Sequence, residues 1–450
     1  MRKVLVIAYI FPPTGGSGVQ RATKFVKYLP EFGWQPIVLT VSNSSLHEVD
    51  VSLLEELPDD LPIYRAPDVH LPHLLRRTAR RLGLISPSGS SAQTSSNGNV
   101  PSSSSSMSAK SAWRRSLSRF ADVWLQIPDQ FVYWLPAALR LGLKVVKECD
   151  VIYSTSDPFT DHLVAWFLHK FSGKPWIADF RDPWTQDVIY QHASSLRSQV
   201  DTFFERQFLK TPQLVTVTCI ATAKSFQEQL PSLSKEKLVE ITNGFDAEDF
   251  EHPVLSSPDR FTITYTGRFA GKKNASVAFL HALRDLRHER PELLPQIRVV
   301  FVGTFEDKYR DLLRAWELEE ITEILGYIPH DESVEKLFES HVLLLTLNDE
   351  PGMDLLYPGK LFEYLAAEKT ILALVPEGAT ADLVRKMGAG LVISPDDVAN
   401  IKQAILDLYA QYEQGASLSR TYDNIDQFER RTLTARLAQH LDVLVRDLEA

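Results

Sequence analysis

Short apolar runs alternate with helix-length amphipathic stretches along most of the chain. The first run, 4–10, leads into a glycine-rich turn at 14–18, an amphipathic helix over 20–29 and a second apolar run at 36–41. Further strand-length runs fall at 151–154, 176–178 and 214–217. A second series starts at 261–266 and continues at 299–302, 342–346, 371–375 and 390–393, with helical patterns such as 275–287 and 360–367 between them. Strands separated by helix-length spacers predict parallel sheets with crossover helices, an α/β architecture. Two doubly wound, Rossmann-like units would set their binding loops across one crevice, because such loops gather at the carboxyl ends of the strands.

Three stretches depart from this rhythm. Residues 86–111 are mostly Ser, Gly, Asn and Thr. They cannot bury enough apolar surface to offset their ordering entropy, which predicts a disordered insertion inside the first domain. Residues 252–260, with two prolines and a polar middle, predict the linker. At the end, Leu433, Leu437, Leu441 and Leu444 recur at helical spacing. The expected map is a first domain over 1–250, a second over 261–420, and a terminal helix within 421–450 that crosses back to the first domain.

Composition narrows the chemistry. The chain has 450 residues, 44% hydrophobic and 24% charged, which is ordinary for a globular protein. Lys and Arg total 48 against 58 Asp and Glu, a formal net charge of -10. Such a chain repels phosphate backbones, so nucleic acid is not expected as a partner and any anionic ligand must be held by a local cluster of donors. Cys149 and Cys219 have no metal-type spacing and predict two reduced thiols in the cytoplasm. The basic, apolar start imitates a signal peptide, but it stops at Pro12-Pro13 without a small-residue cleavage site and reads as a buried strand. No stretch approaches the roughly 18 apolar residues that span a bilayer. Residues 70–85 place Arg76, Arg77, Arg80 and Arg81 beside five leucines. Either an ordinary packed helix or a peripheral contact with an anionic membrane on its inner face fits that pattern.

Four motifs carry candidate chemistry. Pro12-Pro13-Thr14-Gly15-Gly16-Ser17-Gly18 joins the first strand to its helix, where glycines allow close approach and free N–H groups face an anion or a sugar hydroxyl. The dinucleotide fingerprint does not fit, since Arg21 stands where a third glycine or alanine is required. Gly267-Arg268-Phe269-Ala270-Gly271-Lys272-Lys273 follows the strand at 261–266. Its cations could neutralise a diphosphate or simply be solvated. Tyr357-Pro358-Gly359-Lys360-Leu361-Phe362-Glu363 opens a helix, and Glu363 is either a ribose-binding carboxylate or a residue favoured there by the helix dipole. Ala178-Asp179-Phe180-Arg181-Asp182-Pro183-Trp184 ends a strand, with Asp182 a candidate for orienting an acceptor and Arg181 for holding an anion. His162 is a further candidate for contacting the acceptor or a phosphate, against a structural role.

Taken in order, FPPTGGSGVQR, IPDQFVYW at 127–134, DVIYSTSDPFTDHL at 150–163, ADFRDPW at 178–184, ITNGFD at 241–246, YTGRF at 265–269 and YPGKLFEYLAAEKTILAL at 357–374 are similar to segments of the glycosyltransferase family 4 group, which has the GT-B fold. The resemblance covers nearly the whole chain outside the Ser-rich stretch. It implies two Rossmann-like domains facing a central cleft: an N-terminal acceptor domain and a C-terminal nucleotide-sugar domain. It implies a hexosyltransferase that moves a sugar from a nucleotide-sugar donor to a sugar or lipid-linked glycan acceptor in polysaccharide synthesis, with retention, no metal and no cofactor beyond the donor. By the resemblance, Gly15 and Gly16 lie beside the diphosphate and acceptor, Arg268 and Lys273 hold the diphosphate, and Glu363 holds the ribose. Gly359 and Lys360 belong to the same donor-binding turn. The leaving phosphate then helps take the acceptor's proton, with Asp182 positioning the acceptor. Asn243 and Gly244 match a segment whose role is mainly structural.

One departure stands out. The family's pair of glutamates eight positions apart would begin at 355, which is Leu355. Asp354 or backbone amides around 352–356 are the alternatives for holding the donor sugar. A sugar-nucleotide epimerase and a catalytically silent partner subunit with the same fold are the competing classes.

Overall fold

The structure, a computed structural model, describes residues 1–42, 49–68, 124, 126–185, 195–251, 258–269 and 275–449. The Ser-rich stretch 86–111, the basic segment 70–85, most of the expected linker and Lys273 lie outside the described residues.

Among the described residues, seven strands build the first sheet: β1 Arg2–Ile7, β2 Trp34–Val41, β3 Ile63–Ala66, β4 Val151–Ser156, β5 Trp176–Phe180, β6 Leu214–Val217 and β7 Leu238–Glu240. They run parallel in the order β3-β2-β1-β4-β5-β6-β7. Six more build the second: β8 Phe261–Thr266, β9 Ile297–Val302, β10 Thr322–Gly326, β11 Val342–Thr346, β12 Thr370–Leu374 and β13 Gly390–Ile393. These are also parallel, in the order β10-β9-β8-β11-β12-β13. Helices connect most of the strands, so the molecule has two doubly wound α/β domains, the GT-B architecture.

The central strands are covered on both faces, as Val4, Leu5, Val6 and Ile7 in β1 show by complete burial. That is why they read as unbroken apolar runs. The sequence reading missed β3, β7 and β10. All three are edge strands, partly exposed and interrupted by Arg65, Glu240 and Glu323. An edge strand needs only half its surface apolar, so it lacks the run that marks a central one.

Two features join the domains. The terminal helix Arg430–Glu449 packs Leu433, Leu437 and Leu441 against Val4, Val6, Phe25 and Val26 of the first domain. Ahead of it, the Phe245 N–H donates to the Phe428 carbonyl (3.1 Å) and the Arg430 N–H to the Phe245 carbonyl (2.8 Å). Gly244 permits this approach, because a Cβ there would sit 2.0 Å from the Phe428 oxygen. Beside it the Asp246 carboxylate takes Lys24 Nζ at 2.6 Å, Lys27 Nζ at 3.0 Å and the Tyr28 hydroxyl at 2.6 Å. Burial pushes that carboxyl up, but these partners, Lys24 foremost, hold it down at about 2.

Candidate functional site

In each sheet the strand order reverses once, between β1 and β4 and between β8 and β11, and ligand crevices open at such points. Here the two crevices face each other and merge into one cavity of about 670 Å³. Gly16, Gly18, Asp157, Arg181 and Asp182 line it from the first domain. Gly267, Arg268, Gly359, Lys360 and Glu363 line it from the second. Of the residues singled out in the sequence, Gly15 neighbours the lining without joining it, and Lys273 is not described.

On the first wall the helix Ser17–Tyr28 starts after Gly16, whose φ of 96° favours glycine and which has no side chain to cap it. Its first-turn N–H groups lie at the cavity end with no cap from the residue ahead of them. Arg21 anchors this helix from below. Its guanidinium makes a bidentate pair with Asp179 (2.8 and 2.7 Å) and donates to the carbonyls of Thr242 and Ile241 (2.7 and 2.8 Å). Asp179, fully buried, also accepts from Thr155 (2.7 Å) and Thr216 (2.6 Å). Burial alone would raise its carboxyl; Arg21 and the two hydroxyls bring it down to about 2.

Arg181 departs from its expected part. It donates to the carbonyls of Gly18, Ser156 and Asp157, so three of its five donors lock the loops after β1, β4 and β5 together. Asp182, the next residue, is exposed on the cavity wall. His162 is not at the cavity at all. It is buried, its Nδ1 lies 2.8 Å from the Ser154 hydroxyl, and its ring sits 4.6 Å from that of Phe180. Burial lowers it to about 3, which leaves a neutral core imidazole.

On the second wall, the ends of β8 and β9 touch. A Cβ on Gly303 (φ 109°) would lie 2.4 Å from the Gly267 carbonyl oxygen. That contact turns out the loop carrying Arg268, whose side chain is 75% exposed and only loosely tethered, 3.9 Å from Glu306. Lys360, the first residue of the helix Lys360–Ala366, holds its ammonium 3.8 Å above the Tyr265 ring. Glu363 follows one turn later on the same helix. Asp354 faces elsewhere: it lines a separate acidic pocket with Asp349, Glu350 and Glu377, while Leu356 and Tyr357 face the main cavity. Asp354 is therefore not placed to stand in for the absent glutamate. The Leu355 carbonyl accepts instead from Thr222 of the first domain (2.9 Å).

Two charged cavity residues are among those that escaped the sequence reading, His330 and Arg430. His330 bonds Asp249 (3.1 Å); burial works against its charge, yet Asp249 and the nearby Glu363 raise it to about 9. Arg430 reaches the cavity from the crossover and is 5% exposed. Neither sits in a turn or glycine motif, so no local signal marks them.

Residues 246–423, which include the second domain, match the family model of glycosyl transferases group 1. No curated relative matches the chain in sequence. In fold, the chain is similar to Anabaena HepE in complex with UDP-glucose, with 13% identity, 98% of this chain and 100% of that one covered, and a TM-score of 0.62. It is similar to the sucrose-phosphate synthase of Thermosynechococcus elongatus, with 15% identity, 100% and 98% coverage and a TM-score of 0.58. A Listeria monocytogenes protein described as a UDP-N-acetylglucosamine 2-epimerase shares the fold at 11% identity, 99% and 97% coverage and a TM-score of 0.56. Among the described residues no helix is long and apolar enough to cross a membrane.

Proposed function

We propose that this protein is a glycosyltransferase that moves a sugar from a nucleoside-diphosphate donor on the second-domain wall to an acceptor hydroxyl on the first-domain wall, in the cytoplasm. The observation that carries this is the convergence of Arg268, Lys360 and Glu363 on one face of the cavity, opposite the Gly16 end of a helix. Glu363 accepts the ribose hydroxyls. Arg268 and Lys360, with Lys273, offset the charge that develops on the departing diphosphate and so do the work that a divalent cation does elsewhere. The bond from the anomeric carbon to the diphosphate oxygen breaks as the acceptor oxygen bonds to the same face. The acceptor's proton passes to the leaving phosphate. Asp182 orients the acceptor, a sugar or lipid-linked glycan of a growing polysaccharide. Closure of the cleft excludes water and limits hydrolysis of the donor.

Thermal shift with UDP-, GDP- and ADP-sugars tests the donor site, since a ligand that binds the native state raises stability by mass action. UDP-glucose is the first probe, because HepE holds it on a similar fold. Arg268→Ala and Glu363→Ala should each abolish most of the shift; if both leave it intact, the donor site is misassigned. Incubating the protein with donor alone separates this reading from an epimerase, which converts donor without acceptor.

A further inference from the structure

The helix Leu135–Val145 has only two polar side chains, Arg140 and Lys144. Its inner side is already packed: Ala138, Gly142 and Val145 are buried, and a Cβ on Gly142 would meet Leu168 at 2.8 Å and Leu39 at 3.1 Å. A helix that is apolar nearly all round is normally covered all round, whereas one at the surface turns a polar face outwards. This one does neither. Its outer side is half-buried and apolar between the two cations.

That outer side forms a second groove, of about 880 Å³, which shares no lining residue with the cleft. Tyr133, Ala137 and Leu141 give it apolar lining, Arg140 and Lys144 sit beside them, and Arg65 lines it from β3. The charge has one sign: all three ionisable lining residues are cations, with no carboxylate among the described residues of the lining. Arg140 and Lys144 are exposed and have no ion pair among the described residues. Arg65 is fixed, donating to the Pro12 carbonyl at 2.7 Å, and so ties the groove to the glycine turn that leads to the cleft. Because Arg65 stands near the carboxyl end of β3, the groove lies at the same edge of the sheet as the cleft.

The continuation of the chain does not suit this groove. Residues 69–123 carry eight Lys and Arg against one acid, Asp122, a formal +7 in a chain of net charge -10. Like charges repel, so that stretch cannot neutralise Arg140 and Lys144. Several cations flanking apolar lining match a surface that is anionic at its face and apolar beneath. We propose that this face of the first domain docks on an anionic lipid bilayer, with Arg140 and Lys144 on lipid phosphates and acyl methylenes against Tyr133, Ala137 and Leu141. Docking there brings the glycine-turn wall of the cleft to the membrane, where an acceptor with a lipid anchor is presented. The inference does not depend on the donor assignment.

Flotation of the full chain with vesicles tests it, using phosphatidylcholine alone and equal parts of phosphatidylcholine and phosphatidylglycerol. The wild type should float with the anionic vesicles and not with the neutral ones. Arg140→Glu/Lys144→Glu should weaken that binding by about tenfold or more, the scale of two cations at an anionic surface. Leu141→Gln, which changes no charge, should weaken it severalfold, because apolar contact supplies part of the affinity. Should Leu141→Gln not fold, Ala137→Gln carries this arm. A wild type that ignores anionic vesicles overturns the proposal, as does unchanged binding in Arg140→Glu/Lys144→Glu. Unchanged binding in the glutamine variant also overturns it, since the contact would then be charge attraction without a groove. If only Arg76→Ser/Arg77→Ser/Arg80→Ser/Arg81→Ser releases the protein, the anchor is the basic segment instead. A dimer that Leu141→Gln dissolves, seen by ultracentrifugation, would make a second copy the occupant. The donor-induced thermal shift should be unchanged in the groove variants, so a failure of the donor reading leaves this test standing.

Discussion

Replacing Asp179 with asparagine should destabilise the first domain severely, although Asp179 does not itself line the cavity. The residue is fully buried and accepts four hydrogen bonds, two from Arg21 and one each from Thr155 and Thr216. Arg21 is itself only 2% exposed. Asparagine keeps the shape and part of the hydroxyl bonding, but it strands the guanidinium as an uncompensated buried charge, a loss of about 3–5 kcal/mol. For a domain of this size that corresponds to a fall in Tm of about 6–20 °C. The assay is urea unfolding followed by tryptophan fluorescence, which reports this domain because the fully buried Trp34, Trp134, Trp176 and Trp184 all belong to it. The pH dependence carries a second signature. The carboxyl is lowered from 3.8 to about 2, so its contribution is fully present above 3.8 and is lost as pH falls towards 2. A shift of that size amounts to ~2–3 kcal/mol, and the variant should lack this part of the acid sensitivity. Replacing both partners, Arg21→Met with Asp179→Leu, should cost less than the sum of the single changes, because no charge is left alone. An Asp179→Asn protein within about 0.5 kcal/mol of the wild type would refute the reasoning.

Gly303→Ala should lower Tm and abolish nucleotide binding together, since its Cβ would meet the Gly267 oxygen at 2.4 Å in a backbone conformation that disfavours side chains. Retained nucleotide binding in calorimetry would contradict that coupling. His162 is lowered from 6.5 to about 3, so the unfolded state takes up a proton that the native state refuses, and stability falls as pH drops from 6.5 towards 3. His162→Phe should flatten that slope by up to about 1.4 kcal/mol per pH unit, measured by denaturation across this window. Asp182→Asn should raise KM for acceptor or reduce kcat while donor affinity stays within twofold, on the order of 0.4 kcal/mol. A parallel loss of donor affinity would move Asp182 to the other substrate.

The sequence by itself determined the parts of this protein that are local. Central strands buried on both faces must be unbroken apolar runs, so β1, β2, β4, β5, β6, β8, β9, β11 and β12 were legible, as was the exposed-edge strand β13. The glycine turn at Gly16 and the start of the Lys360 helix were legible for the same reason: backbone geometry at a strand or helix end demands particular residues within a few positions. The edge strands β3, β7 and β10 were not, because partial exposure removes the run that betrays a strand. Nothing local marked Arg21 as the partner of Asp179, 158 positions away. Only the fold turns Asp354 into a second pocket, sends His162 into the core and commits Arg181 to three carbonyls. Arg430 is the clearest case. Its side chain meets the cavity because the chain returns across the Phe245 joint, and long-range packing rather than local propensity decides where a returning chain arrives.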